Sequence, residues 1–364
     1  MNKKKSALSA AIWGTGSIAA THARVLNEMG VEIRLAVDIQ QEAVQRFAGQ
    51  FHIAKASVNA EEIFDSGVDC VHLCTPPNFH YQMLSQLLDA GFHVLCEKPL
   101  CFEGERAKEL VTRARQGGRI CAIDFNIRFH QAVQEARRLI EEKGFGPVRL
   151  VHGSYLQEYN AFPAPLDWRY DPALAGRMRA MTEIGSHWVD LAQFLTGQRI
   201  TAVSAVFSNF APRRSLRDGL MVPEEGAEGG ETVEIASEDA ALLHFRLESG
   251  AVASCVLCEA SPGRTNRLSI EVTGEWRNLW WDSEENNALR IGAKGQGFNT
   301  RLYPFGGGFA DTQRGLFEAF YEDVAQGQSG ENPLYPTLED GMRNVLICNA
   351  ALESALGEGR WIEI

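Results

Sequence analysis

The chain has 364 residues, more than one hydrophobic core usually organises, so two domains are expected. A hydrophobic share of 45% and a charged share of 23% are those of a globular protein. A formal net charge of -12 argues against nucleic acid or an anionic membrane as partner, since both call for basic patches.

At the start, Lys3, Lys4 and Lys5 precede a short apolar run over 7–13. The run is too short for a membrane span, lacks a cleavage site and leads straight into a glycine turn, so it reads as a first strand and the protein as cytoplasmic. Short apolar runs at 10–13, 33–37, 70–75, 93–96 and 120–123 alternate with helical periodicity at 19–29, 42–51, 79–90 and 105–116. That alternation predicts a doubly wound parallel sheet over 1–128, an α/β domain, with Gly30, Gly91 and Gly117 placed as helix C-caps.

After residue 128 the rhythm changes to long strands at 148–158, 200–210, 238–247, 251–259 and 268–272, with Ser249-Gly250 and Thr273-Gly274 as hairpin turns. Residues 129–364 are therefore expected to form an α+β domain around a large, mainly antiparallel open sheet. The charged, glycine- and proline-rich stretch 212–235 reads as a surface loop or arm, and helices near 311–325 and 338–356 close the chain. Trp280 and Trp281 are adjacent, and 251–257 carries apolar residues at both odd and even positions, so both sheet faces need cover. A second subunit, in a homodimer or homotetramer, would supply one cover; further elements of the same chain are the alternative.

Eight cysteines do not make a disulfide framework in a chain of this kind. Cys255 and Cys258 form C-x-x-C, but strand alternation sends them to opposite faces and no second ligand pair follows at zinc spacing, so no metal is expected.

Gly14-Thr15-Gly16-Ser17-Ile18-Ala19 lies between a strand and a helix. Gly14 permits the tight turn, Gly16 lets backbone approach a pyrophosphate, and the helix N-terminus offers free N–H groups to the phosphates. Asp38 ends the second strand, where a carboxylate can accept from ribose hydroxyls and repel a 2′-phosphate. Ile39-Gln40-Gln41 offers no cation, so NAD is preferred over NADP in a Rossmann domain. Glu97-Lys98-Pro99 follows the strand at 93–96, at the carboxyl edge of the sheet, where ligands of such folds bind. Further on, Glu183-Ile184-Gly185-Ser186-His187-Trp188-Val189-Asp190 opens a helix, and a histidine near its ordinary pKa suits removal of a hydroxyl proton.

The Gly14 turn, Thr75-Pro76-Pro77-Asn78 with His80, Glu97-Lys98-Pro99 and Gly185-Ser186-His187 with Asp190 together resemble the glucose–fructose oxidoreductase / inositol dehydrogenase / MocA family of NAD(P)-dependent enzymes, over nearly the whole chain. The resemblance implies a sugar, glycoside or cyclitol as substrate, Lys98 on the reacting hydroxyl and the nicotinamide ribose, His187 as proton acceptor in oxidation, and a cis peptide before Pro99. It adds Thr75, Pro76, Asn78, His80, Glu97 and Asn126 to the cofactor side, and Arg128 to the substrate side. Where the family usually has aspartate four residues before the histidine, this chain has Glu183, which can still orient or charge-stabilise the imidazole. Trp168 and Arg169 fall in an aromatic-dense stretch suited to a sugar face and its hydroxyls, or equally to packing. Two other readings stay open: a glycosidase that uses held NAD for transient oxidation, and a non-catalytic nucleotide-binding regulator. His22, His72, His93 and His244 lie inside elements and read as structural.

Overall fold

The computed structural model describes residues 8–224, 231–304 and 307–364, so Lys3 to Lys5 and part of the 212–235 stretch lie outside it. Two compact units emerge, Met1–Phe129 with Gly308–Val345, and His130–Gly307 with Leu346–Ile364.

In the first unit, strands β1 (Ser9–Trp13), β2 (Glu32–Val37), β3 (Lys55–Ser57), β4 (Cys70–Leu73), β5 (His93–Cys96) and β6 (Cys121–Ile123) pair in parallel, in the order β3-β2-β1-β4-β5-β6. Every residue of β1, β4 and β6 is buried, as a parallel sheet covered on both faces requires. Alternate side chains divide into two cores. Ala10, Ile12, Ala36, Cys70 and Leu95 meet helices α1 (Ser17–Met29) and α2 (Gln41–Phe51), while Ala11, Trp13, Leu35, Val71 and Val94 meet α3 (His80–Asp89) and α4 (Gly104–Gly117). Helix α1 ends on Gly30 in the left-handed region at φ 70°, as expected, but α4 runs one residue further, so Gly118 at φ 60° takes the cap expected of Gly117. The short strand β3, only three residues, carried no pattern of its own.

The second unit is built on a nine-stranded sheet. Its strands are β7 (Val148–Leu156), β9 (Ile200–Ser208), β13 (Ala240–Leu247), β14 (Val252–Cys258), β15 (Arg267–Gly274), β16 (Arg277–Asp282), β17 (Ala288–Ala293), β18 (Gly297–Leu302) and β19 (Ile362–Glu363). Only β7 and β14 run parallel; the other neighbours are antiparallel. Residues alternate cleanly along β13, with Ala241, Leu243, Phe245 and Leu247 buried and the residues between them more exposed. On the inner face lie helices α5 (Gln131–Glu141) and α7 (Ser186–Thr196): Trp188 stacks on Phe245 at 5.9 Å and donates its indole N–H to Ser269 O. Gly153 makes room for that indole, since a Cβ there would stand 2.9 Å from Trp188 Nε1. Trp281 is buried on this face while Trp280 turns outward under Arg290, the split expected of adjacent strand residues.

Two expectations are corrected. The 212–235 stretch is not a loop throughout: β10 (Arg213–Arg217), β11 (Leu220–Pro223) and β12 (Glu231–Glu234) join β8 (Ala164–Pro165) in a small antiparallel sheet, because Met221 and Ile235 find a core with Ala164 and Tyr170. The expected division into 1–128 and 129–364 also differs from the observed units. Helix α8 (Phe309–Gln326) inserts Leu316, Phe317, Phe320 and Tyr321 into the first sheet's core, covering apolar surface that α1 and α2 leave open. Helix α9 (Leu338–Leu356) begins on the other core through Leu338 and Val345. Among the described residues no helix is long and apolar enough to cross a membrane.

Candidate active site

On the nucleotide side, Gly14 has φ 94° and lies against the next strand's end, for a Cβ there would come 2.7 Å from the Cys74 carbonyl. Gly16, by contrast, faces open space, with nothing within 4 Å of a built Cβ. It caps α1 without a side-chain bond and no acidic residue occupies the first turn, so the helix N–H groups are open to an anion. Thr15 is half-buried, Gly16 and Ser17 are exposed, and Ile18 is partly covered. Asp38 Oδ2 accepts from Thr15 N–H at 2.7 Å and from Thr15 Oγ1–H at 2.8 Å, fixing the glycine turn to the end of β2. The open backbone donors at the start of α1 fit the phosphates of a dinucleotide, and exposed Ile39 follows Asp38 at the end of β2.

The remaining residues on that side divide into two groups. Thr75, Pro76, Asn78 and Lys98 reach the surface in part. His80, Glu97 and Asn126 are buried and turned inward. The His80 ring nitrogens stand 2.8 Å from both Thr75 O and Pro99 O, tying the ends of β4 and β5 together. Burial holds its pKa below the ordinary value, so the neutral ring donates to one carbonyl at a time. Asn126 donates to Thr312 Oγ1 at 2.7 Å, and buried Arg128 pairs with Asp340 at 3.2 Å. That ion pair, not expected from the sequence, holds the Asp340 carboxyl below its usual range against the opposing effect of burial. The Lys98–Pro99 peptide is cis. Around it, Val94 to Leu100 bury every residue except Lys98.

Glu97, next to Lys98 in the chain and expected on the cofactor side, belongs to a buried cluster with His22 and His72, two histidines that read as structural from sequence. His22 Nε2 stands 3.2 Å from Glu97 Oε1 and 3.2 Å from Asp124 Oδ2. Its Nδ1 lies 2.8 Å from His72 Nδ1, and His72 Nε2 lies 2.9 Å from the Tyr321 hydroxyl. Partners 50 to 249 residues apart give no local pattern, so only the paired strand-end acids Glu97 and Asp124 could have signalled it.

In the second unit, Glu183 belongs to a π-helical turn, Met181–Gly185, that leads into α7 with His187 one turn on. Such widened turns recur at functional sites because they re-aim side chains. From Met181 to Asp190 only Glu183 and His187 escape full burial. Gly185 permits this close seating, as a Cβ there would meet Leu257 of β14 at 2.5 Å. The turn is anchored by a buried network: Glu238 accepts from the backbone N–H of Arg179 and Met181, and the Arg179 guanidinium bonds Asp239 and Glu259. Arg169 donates to Glu183 at 3.1 Å and to Asp167 at 3.0 Å while lying over the Trp168 ring at 4.6 Å. Trp168, Arg169 and Glu183 thus form one partly exposed group, and the Tyr155 ring flanks His187 at 6.4 Å.

A parallel-sheet unit shaped to take NAD marks a nicotinamide-dependent oxidoreductase, and the protein is of that class. Family models place it further. Residues 8–125 match the oxidoreductase family's NAD-binding Rossmann fold, and residues 133–277 match the GFO/IDH/MocA C-terminal domain. The chain belongs to the GFO/IDH/MocA family. It is 29% identical to levoglucosan dehydrogenase of Pseudarthrobacter phenanthrenivorans over 83% of this chain and 81% of that protein. It is 26% identical to myo-inositol 2-dehydrogenase of Thermotoga maritima over 96% and 97% of the two chains. A solved levoglucosan dehydrogenase in complex with NADH and L-sorbose superposes with a TM-score of 0.88 at 26% identity, covering 98% of each chain.

Proposed function

We propose that the protein is an NAD-dependent dehydrogenase that oxidises a hydroxyl-bearing carbon of a sugar, glycoside or cyclitol, with Lys98 and His187 as catalytic residues. One observation carries this reading: each unit buries a whole functional stretch and leaves accessible only Lys98 in one, and only Glu183 and His187 in the other. An ammonium, an imidazole and a carboxylate are the groups that removal of a hydroxyl proton and support of an alkoxide require. The names of its relatives, levoglucosan and myo-inositol dehydrogenases, belong to enzymes of cyclic polyhydroxylated compounds.

The bound nicotinamide supplies the hydride acceptor. His187 takes the hydroxyl proton, and Lys98 donates a hydrogen bond to the oxygen as negative charge develops on it. Glu183, held by Arg169, supports the imidazolium that results, and Trp168 offers an apolar face to the sugar ring. Thr75, Pro76, Asn78 and the backbone around Lys98 line the cofactor, whereas Glu97, His80 and Asn126 act by tying down the loops that do so. We also infer a homodimer or homotetramer through the nine-stranded sheet. Val206, Leu242 and Val256 stand directly across from one another on its outer face, 55%, 52% and 45% exposed.

A screen of sugars and cyclitols with NAD, followed at the reduced nicotinamide band, tests the activity. Lys98→Ala and His187→Ala are each expected to lower turnover by about 10²-fold or more while NAD affinity changes little. Wild-type turnover in both variants would reject the assignment. Release of free sugar from glycosides without NADH accumulation would point instead to a glycosidase.

A further inference from the structure

The cluster under Lys98 connects to it through one side chain. Glu97 Oε1 lies 3.2 Å from His22 Nε2, and its Oε2 accepts from the Lys98 backbone N–H at 3.2 Å. The first contact therefore fixes the carboxylate in the orientation that the second needs. We propose that His22 is a positioning residue for Lys98, holding the Glu97 carboxylate so that it anchors the Lys98 peptide. This rests on the reading of Lys98 as catalytic.

The protons in the cluster are consistent with that role. His22 is fully buried, and burial alone would lower its pKa. The surroundings raise it well above the ordinary value instead, through Cys74, Asp124 and Glu97. Burial also pushes the Cys74 thiol up, and the carboxyl groups of Glu97 and Asp124 face the ring at 3.2 Å each. His72, buried and beside His22, is held well below its ordinary value and stays neutral. The assignment that follows is ordered. His22 Nδ1–H donates to His72 Nδ1, His72 Nε2–H donates to the Tyr321 hydroxyl, and His22 Nε2–H points to the carboxylate pair, with Glu97 Oε1 and Asp124 Oδ2 each at 3.2 Å. Burial, with the Asp124 charge, pushes the Glu97 carboxyl up, opposed by His22 and Lys98. Without its imidazolium partner a carboxylate so buried would take up a proton or turn away, and the Lys98 N–H would lose its acceptor. A displacement of about 1 Å in a catalytic group can cost as much as 10²-fold in rate.

Two substitutions separate positioning from mere filling of space. In His22→Gln the carboxamide nitrogen replaces Nε2 and can still donate to Glu97; in His22→Asn it replaces Nδ1 and reaches toward His72 only. His22→Asn is expected to lower kcat by about 10- to 100-fold, with KM and NAD affinity within about threefold of wild type, and His22→Gln to restore most of kcat. The Lys98 amide should exchange hydrogen faster in His22→Asn than in wild type or His22→Gln, while β4 and β5 keep their protection. Wild-type kcat and exchange in a folded His22→Asn would overturn the proposal, as would equal losses in both variants. Should His22→Asn fail to fold, Glu97→Ala removes the acceptor directly, and unchanged Lys98 exchange there overturns the proposal as well. The His22, Glu97 and Asp124 ligand atoms lie within 4.8 Å of one another, a spacing a divalent cation can also use. One equivalent of metal in the purified protein would overturn the proposal, because a metal-bound Nε2 has no proton to donate. Lys98→Ala separates the two ideas: full turnover there rejects the catalytic reading, while the exchange measurement still tests the anchoring.

Discussion

The two glycines of the nucleotide turn should fail in different ways when a methyl is added. At Gly14 an alanine must hold φ 94° and place Cβ 2.7 Å from the Cys74 carbonyl and 2.9 Å from Thr75 N, all backbone atoms that cannot swing aside. Strain in that conformation costs about 1–3 kcal/mol and overpacking about 1–3 kcal/mol more, so Gly14→Ala should lose about 2–6 kcal/mol. For a unit of this size that lowers Tm by at least ~4 °C. Gly16 has φ -70° and nothing within 4 Å of its Cβ, so Gly16→Ala should fold with stability within about 0.5 kcal/mol of wild type. Its methyl would instead fill space over the open end of α1, and NAD binding should weaken about tenfold or more, roughly 1.4 kcal/mol. Thermal unfolding and calorimetric titration with NAD read the two effects separately. Unchanged NAD affinity in Gly16→Ala would refute the placement of the pyrophosphate, and an unchanged Tm in Gly14→Ala would refute the close approach to Cys74.

Arg179→Met leaves Asp239 and Glu259 buried with one cation fewer, and urea unfolding should show a loss of about 3–5 kcal/mol; a change under 1 kcal/mol would show the network to be slack. Asp38→Ala combined with Ile39→Arg removes the 2′-phosphate repulsion and adds a cation, so the ratio of kcat/KM for NADP over NAD should rise at least about tenfold; no rise would place the ribose elsewhere. Leu242→Glu puts a charge at the middle of the row Val206, Leu242 and Val256, and light scattering should find wild type oligomeric and the variant smaller. A monomeric wild type would refute that interface.

The parallel sheet was legible because buried strands of four to six residues stand between amphipathic helices, and the period changes from 2 to 3.6 at each boundary. The glycine turn and the stretches around Lys98 and His187 stand out in the sequence for a related reason: each carries particular residue types at fixed spacing. What escaped was decided at long range. Helix α8 reads as any amphipathic helix, and nothing in its sequence says that Phe317 and Tyr321 complete a core begun three hundred residues earlier. Arg128 looks like a substrate ligand until Asp340 is brought beside it, and His22 looks like a filler of α1 until Glu97 and Asp124 converge on it. The strands within 212–235 were hidden by their charge, since β10 and β12 leave much of their surface exposed.

The late return of the chain to its first unit has a consequence for synthesis. A nascent polypeptide that has reached residue 307 carries all six strands of the dinucleotide sheet, yet the helix that seals one side of them has not been made. Nucleotide binding by the emerging chain should therefore wait until residues 308–345 have been made. A gene truncated just before Gly308 should yield a product that chaperones retain and proteases clear, however intact its glycine turn.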